Sequence, residues 1–287
     1  MKAALCQIRP KLGDLDANFK THHDWIDRAT EASADLVLFP ELSLTGYFLR
    51  DLTQEVALEL NDPRLEQLIA RSADGGPSLV IGFVERASDH RTYNSALFAE
   101  DGKVLSVHRK VHLPDYGIFE EGRYFAAGES FDLIQSKHGN FGVMICEDAW
   151  HLIPAWLHYL QGVDALLIPF ASPARGIDAN TAELTSQRAW RTLVSAQSLF
   201  FQSWVLQCNR VGYEDGALFW GGSIAADPSG QTVIEAESDE EELLIVEVDP
   251  AATRRARDFA PLLRDAKPGL VRRQLARILD DRDALRP

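Results

Sequence analysis

Apolar positions along the chain recur in two rhythms, an alternating or continuous run that marks strands and a spacing of three to four that marks helices. Residues 3–9, carrying Ala3, Leu5 and Ile8, predict a first strand. From Asp14 to Ala34, Phe19, Ile26 and Ala29 return on one face of a helix, with Asp16 placed to cap its start. Asp35-Leu36-Val37-Leu38-Phe39-Pro40-Glu41 predicts a buried strand that ends in a carboxylate. A helix over about 63–71 and a strand over Ser78–Val84 follow. Strands at about 93–99 and 103–109 flank Asp101-Gly102, a hairpin signal, and a loop rich in Gly, Pro and aromatics covers 113–129. Phe141 to Ile145 predicts one short buried strand, and Ala149 to Leu160 an amphipathic helix. A strand at 164–170, a long helix at about 179–201 and a strand at 204–208 come next. Three late strands at 222–226, 231–236 and 243–248, a helix near 250–258 and a polar, Arg-rich tail close the chain. Strands alternating with helices give an α/β class, with one domain over 1–260 and a C-terminal tail over 261–287.

Composition narrows the class of partner. The 287 residues are 46% hydrophobic and 25% charged, ordinary for a globular protein with a full core. A net charge of −14 argues against nucleic acid and against an anionic membrane, since both need a basic face. Cys6, Cys146 and Cys208 form no close pair, a poor disulfide framework and a poor zinc site, so no metal is expected. The start lacks a long apolar stretch with a cleavage site, and no run approaches the length of a membrane span, which together predict a cytoplasmic protein.

Three strand ends carry candidate chemistry. Cys146 stops the 141–145 strand and faces the start of the following helix, where a helix dipole can stabilise a thiolate. Glu41 is bounded by Phe39, Pro40 and Leu42, so its carboxylate is costly to bury without a partner and suited to act as a general base. Lys110, beside apolar Val111 and Leu113, can point inward to hold a developing oxyanion. Arg109 and Lys110 alternate across the strand, so only one of them faces such a site. His108 and His112 have no third ligand nearby and read as surface or supporting residues. The loop that follows offers Asp115, Tyr116, Glu120, Glu121 and Arg123. Arg123 and Arg175 are candidates to hold a substrate carboxylate through paired hydrogen bonds.

Taken in order, these residues resemble the nitrilase superfamily, the carbon–nitrogen hydrolases that use a Glu–Lys–Cys site. Phe39-Pro40-Glu41 matches its glutamate motif, Lys110-Val111-His112-Leu113-Pro114 its lysine motif and Cys146-Glu147-Asp148 its nucleophile motif. Glu121, seven residues before Gly128, falls where the family carries a second active-site glutamate, and Gly221-Gly222-Ser223 looks like its late strand motif. The resemblance implies a four-layer α-β-β-α sandwich, a homodimer or higher homo-oligomer, and no metal or organic cofactor. It implies catalysis by Glu41, Lys110, Cys146 and Glu121, while the residues themselves offer Tyr116, Glu147, Arg123 and Arg175 toward a small-molecule amide substrate. Glu147 and Asp148 read as supporting residues ahead of catalytic ones. Glu41 to Tyr47, His112 to Gly117 and the Cys146 to Trp150 stretch look most like the glutamine amidase domain of glutamine-dependent NAD synthetases. Those proteins carry a second, ATP-using domain, whereas no Gly-rich phosphate loop follows here before Pro287. The expected activity is therefore hydrolysis of a small linear amide with release of ammonia, a glutamine-type ω-amide first. The alternatives are an N-carbamoyl amine or amino acid amidohydrolase, and a glutaminase subunit that feeds a separate synthetase.

Overall fold

Alternate residues of a single strand enter two different cores. In strand β1 (Lys2–Gln7), Ala3 and Leu5 pack toward a second sheet, while Ala4 and Cys6 pack with Phe19, Trp25 and Ile26 of helix α1 (Leu15–Glu31). Strand β2 (Leu36–Leu38) repeats the split, with Leu36 and Leu38 on one side and Val37 on the other. A strand whose two faces are both apolar belongs inside a layered fold, because neither face can be left to water. The computed structural model describes residues 1–177, 183–237 and 239–281.

The remaining strands are β3 (Ser78–Arg86), β4 (Thr92–Glu100), β5 (Lys103–Arg109), β6 (Ile134–Ser136), β7 (Gly139–Val143), β8 (Ala165–Phe170) and β9 (Trp204–Asn209), followed by β10 (Val211–Glu214), β11 (Ala217–Trp220), β12 (Ile224–Ala226), β13 (Thr232–Glu235) and β14 (Glu242–Glu247). The remaining helices are α2 (Thr53–Val56), α3 (Pro63–Ala70), α4 (Glu121–Tyr124), α5 (Leu152–Leu160), α6 (Thr185–Phe201), α7 (Pro250–Phe259), α8 (Leu262–Asp265) and α9 (Pro268–Asp280). One six-stranded sheet runs β14-β1-β2-β3-β4-β5 and the other β13-β12-β9-β8-β7-β6. In each, three inner strands are parallel, β1-β2-β3 and β7-β8-β9, and the outer strands pair antiparallel. The sheets meet face to face, with Phe98 stacked on Phe141 at 5.8 Å. Helices α1 and α3 cover the outer face of the first sheet, and α5 and α6 pack on the second, giving the four-layer α-β-β-α sandwich.

This topology decides where chemistry can sit. The parallel strands β2 and β7 both release the chain at their carboxyl ends, where Glu41 and Cys146 follow within three residues. Ligands in parallel α/β sheets collect at those ends. No helix among the described residues is long and apolar enough to cross a membrane.

Several elements differ from the sequence expectation. The cap of α1 is Asp14, which accepts from Ala17 N–H at 3.0 Å, and Asp16 falls in the first turn. The helix expected from Ala149 starts at Leu152, behind a 3₁₀ turn over Cys146–Trp150. The long helix begins at Thr185, and positions 179–182 of the expected span lie outside the described residues. The β10–β11 hairpin and the short strand β6 were not expected. The Arg-rich tail contains α8 and α9.

Candidate active site

Glu41 reaches the site through a tight turn. Leu42, directly after it, takes a left-handed φ of +48°, a cost for a residue with a Cβ that only surrounding structure can sustain. Gly82 on β3 makes room for the turn, since a Cβ there would lie 2.4 Å from Pro40 O and 2.6 Å from Leu42 N. The Glu41 carboxylate is buried and fully engaged. Its Oε1 accepts from Lys110 Nζ at 2.7 Å and Asn94 Nδ2 at 2.8 Å, and its Oε2 from Ala171 N–H at 2.8 Å.

Lys110 follows β5 and stays in register through its N–H, which donates to Asn94 O at 2.9 Å. The alternation across the strand sends Arg109 the other way, onto Glu85 and the Tyr93 ring. Lys110 is fully buried, with its ammonium bridging Glu41 Oε1 and Glu121 Oε1 at 2.7 Å each. Burial works against its charge, but Glu121 and Glu41 together outweigh that and hold its pKa well above the usual lysine range. Glu121 opens the one-turn helix α4, and its Oε1 also accepts from Tyr47 OH at 2.5 Å. Burial raises the Glu121 carboxyl to about 7 against the pull of Lys110, with Glu41 adding to the rise.

Cys146 follows β7 with a left-handed φ of +46°. Burial and then the Glu41 charge push its thiol well above the ordinary value, while Lys110 and the Ala171 N–H pull in the other direction. The expectation of a helix dipole behind the sulfur is corrected here. The 3₁₀ turn separates Cys146 from α5, so no helix start offsets the burial that favours the protonated thiol.

The turn is built by Asp148. Its Oδ2 accepts from Ile145 N–H at 3.1 Å and His108 Nε2 at 2.9 Å, and its Oδ1 from the N–H groups of Val111 and His112 and from His112 Nδ1. Burial opposes its ionisation, yet these bonds from His108 and His112 hold the carboxyl below the usual carboxylate range. The two histidines thus serve this aspartate.

Cys146 opens into a cavity of about 450 Å³ lined by Tyr116, Phe119, Glu147, Trp150, Ser172, Arg175 and Trp190. Tyr116 OH donates to Glu147 Oε2 at 2.9 Å, and the Arg175 guanidinium lies over the Tyr116 and Phe119 rings at 5.9 and 5.4 Å. A larger cavity, about 770 Å³, reaches Glu121 and Tyr47 from the other side of the 116–119 loop and shares Arg175. The smaller one holds the sulfur and is the candidate chamber.

Glu41, Lys110, Glu121 and Cys146 thus converge, with Tyr116, Glu147 and Arg175 on the chamber wall. Arg123 does not join them. It sits two residues from Glu121 in α4, on the opposite side of the turn, exposed, with its guanidinium 5.5 Å from the Tyr124 ring. The sequence reading gives no part to Asn94 or Glu214, and carries Tyr47 only as the end of the Glu41 to Tyr47 stretch. Glu214, in the unexpected hairpin, accepts from the N–H groups of Tyr47 and Phe48 at 2.7 and 2.8 Å and pairs with fully buried Arg210. The available signal for Asn94 was an amide two residues before the apolar run Ala96–Ala99 of β4.

The carbon–nitrogen hydrolase family model matches residues 2–258. A glutamine-dependent NAD(+) synthetase of Thermotoga maritima is 33% identical over 253 residues, which is 87% of this chain and 42% of the synthetase. An N-carbamoylputrescine amidase of Arabidopsis thaliana is 26% identical over 272 residues, 90% of each chain. A carbon–nitrogen hydrolase from Helicobacter pylori G27 superposes with a TM-score of 0.83 at 26% identity, over 96% of this chain and 98% of that one. The chain spans about half the length of the curated synthetases it matches, between 42% and 50%.

Proposed function

The chain belongs to the carbon–nitrogen hydrolase family, and on that premise we propose that it is an amidase that cleaves a small linear amide through a cysteine thioacyl intermediate. The observation that carries this reading is the buried Lys110 ammonium held between two carboxylates, close enough to Cys146 to act on its thiol. Glu41 takes the thiol proton as the sulfur attacks the carbonyl carbon. A C–S bond forms and the carbonyl oxygen becomes an oxyanion, met by Lys110 and the Glu147 N–H. Lysine has three N–H donors, and the two carboxylates engage two of them. An oxyanion donor of this kind contributes roughly 10²–10³ in rate. Glu41 returns the proton to the departing nitrogen, the C–N bond breaks and ammonia leaves. Water, activated by Glu41, then attacks the thioacyl carbon; the C–S bond breaks, and the acid and the thiol are restored. Glu121 orients Lys110 through its Oε1.

The chamber favours a small substrate that carries charge. Glu147 and Arg175 place opposite charges on its wall among aromatic rings, which suits an ω-amide such as glutamine's, with both an amino and a carboxylate group. An N-carbamoyl amine or amino acid is the second reading, supported by the likeness to an N-carbamoylputrescine amidase along 90% of each chain. The likeness to half of several glutamine-dependent NAD(+) synthetases supports a third, a glutaminase that delivers ammonia to a synthetase. We also infer a homodimer or higher homo-oligomer, from the exposed Leu152, Ile153, Leu199 and Phe200 on α5 and α6, and a cytoplasmic setting, in line with the sequence expectation.

Intact-protein mass spectrometry with parallel ammonia detection tests the activity. Wild type and Cys146→Ala are incubated with small amides, carbamoyl compounds and nitriles. Turnover of one class with a transient adduct that requires Cys146 is expected. Ammonia release that survives Cys146→Ala would sink the mechanism.

A further inference from the structure

Asp148 lies at the junction of the two segments that carry the ammonium and the thiol. Its Oδ1 binds the lysine side, accepting from Val111 N–H at 3.2 Å, His112 N–H at 2.9 Å and His112 Nδ1 at 2.9 Å. Its Oδ2 binds the cysteine side, accepting from Ile145 N–H at 3.1 Å, and is joined there by His108 Nε2 from β5 at 2.9 Å. Ile145 immediately precedes Cys146, and Val111 immediately follows Lys110. The Asp148 N–H closes the turn onto Ile145 O at 3.0 Å. Phe131 covers the cluster, its ring 5.3 Å from His108 and 6.2 Å from His112. Asp148 is fully buried, and five donors occupy the roughly four lone-pair positions of a carboxylate. It has neither access nor capacity for substrate.

We propose that Asp148 is a positioning residue, whose two oxygens lock the Lys110 segment to the Cys146 turn and so set the distance between ammonium and thiol. The proposal deepens the amidase reading and rests on it for its kinetic consequence. Its geometric consequence stands apart, because it concerns a thiol and an ammonium that need no substrate to sense one another. Two of the three reacting side chains come from different sheets, β5 in one and β7 in the other. No covalent neighbour fixes their separation, and a carboxylate that accepts from both backbones does.

The test is Asp148→Asn. An amide has one accepting end, so its NH2 must face the N–H donors of one segment whichever way it sits, and that segment is released. Misplacement of about 1 Å lowers kcat by about 10²-fold, and KM stays within about threefold because the chamber wall is intact. The substrate-free readout is the pH profile of Cys146 alkylation by iodoacetamide. Lys110 lowers the thiol's pKa in the intact site, so the profile moves to higher pH when Lys110 and Cys146 separate. A purely structural role would lower Tm and leave both kcat and the alkylation profile of the folded protein where they were. His108→Gln and His108→Phe give a second arm if Asp148→Asn does not fold. Gln keeps a donor near the Nε2 position and is expected to restore kcat and profile, whereas Phe keeps the ring and shows the loss. Wild type inactive on every amide would undo the amidase reading and leave the alkylation profile to decide the positioning. Active wild type, with kcat and profile unchanged in Asp148→Asn or in His108→Phe, would overturn the positioning itself.

Discussion

Lys110 keeps its charge without water because Glu41 and Glu121 share it at 2.7 Å each. The same charges set opposite pulls on Cys146, Glu41 raising the thiol and Lys110 lowering it. Glu41→Gln keeps the side-chain shape and removes one pull. Loss of the base is expected to lower kcat/KM by about 10²–10⁴-fold. Loss of the negative charge is expected to move Cys146 alkylation to lower pH. A profile that moves upward would contradict the charge role, and kcat/KM unchanged would contradict the base role. The three strand-end residues were visible in the sequence for different reasons: Glu41 and Lys110 put charges beside apolar neighbours, and Cys146 ends an apolar strand directly before two acids. Their partners were not visible. Asn94 and the Ala171 N–H meet Glu41 across 53 and 130 residues of chain, and nothing local marks such pairings. The thiol's environment was misjudged for the same reason. The helix that was to stabilise it starts six residues later, behind a turn set by contacts to His108 and His112.

At the scale of elements, the turn after β2 depends on a missing side chain. Gly82→Ala places a Cβ 2.4 Å from Pro40 O and 2.6 Å from Leu42 N, both backbone atoms that cannot swing aside. The turn must shift, and Glu41 moves with it. A stability loss of about 1–3 kcal/mol is expected from the overpacking, with kcat down by about 10²-fold from the displaced base. Thermal melts and steady-state kinetics on one preparation separate the two, and full activity in a destabilised variant would show that the turn does not place Glu41. Elements of this kind were legible where periodicity was strong, as in α1 and β8. The β10–β11 hairpin was not, because each strand is only four residues long and Val211–Glu214 mixes apolar and polar positions, too short a pattern to set a period. Helix α9 was hidden by its arginines. Leu270, Val271, Leu275, Ile278 and Leu279 do recur at helical spacing, but all remain exposed, and no buried face announced them.

At the scale of the molecule, strand order was beyond periodicity. The last strand, β14, pairs with the first, β1, and the two sheets join halves of the chain that share no local signal. The four layers came from the resemblance of three motifs. What the assembled fold adds is a set of buried titrating groups whose pull on stability has a definite sign. His22 and His158 are fully buried, and burial lowers both from the usual histidine range to about 4. Each folded imidazole is neutral where the unfolded one is charged, so the unfolded state binds more protons between about pH 4 and 6.5. Stability therefore rises with pH across that window, by about 1.4 kcal/mol per pH unit per group. His23 and His138, partly buried and also lowered, add in the same direction. Glu121 opposes them. Its carboxyl, raised to about 7, keeps its proton in the fold where the unfolded chain has lost it, so its contribution falls as pH rises from 4.5 to 7. Melts between pH 4.5 and 6.5 should show Tm climbing with pH in wild type. Glu121→Gln removes the opposing group, and its Tm should climb more steeply over the same range, by about 1.4 kcal/mol per pH unit when converted to free energy. A slope no steeper than wild type would mean that Glu121 is ionised throughout, and that Lys110 sits between two full negative charges at neutral pH.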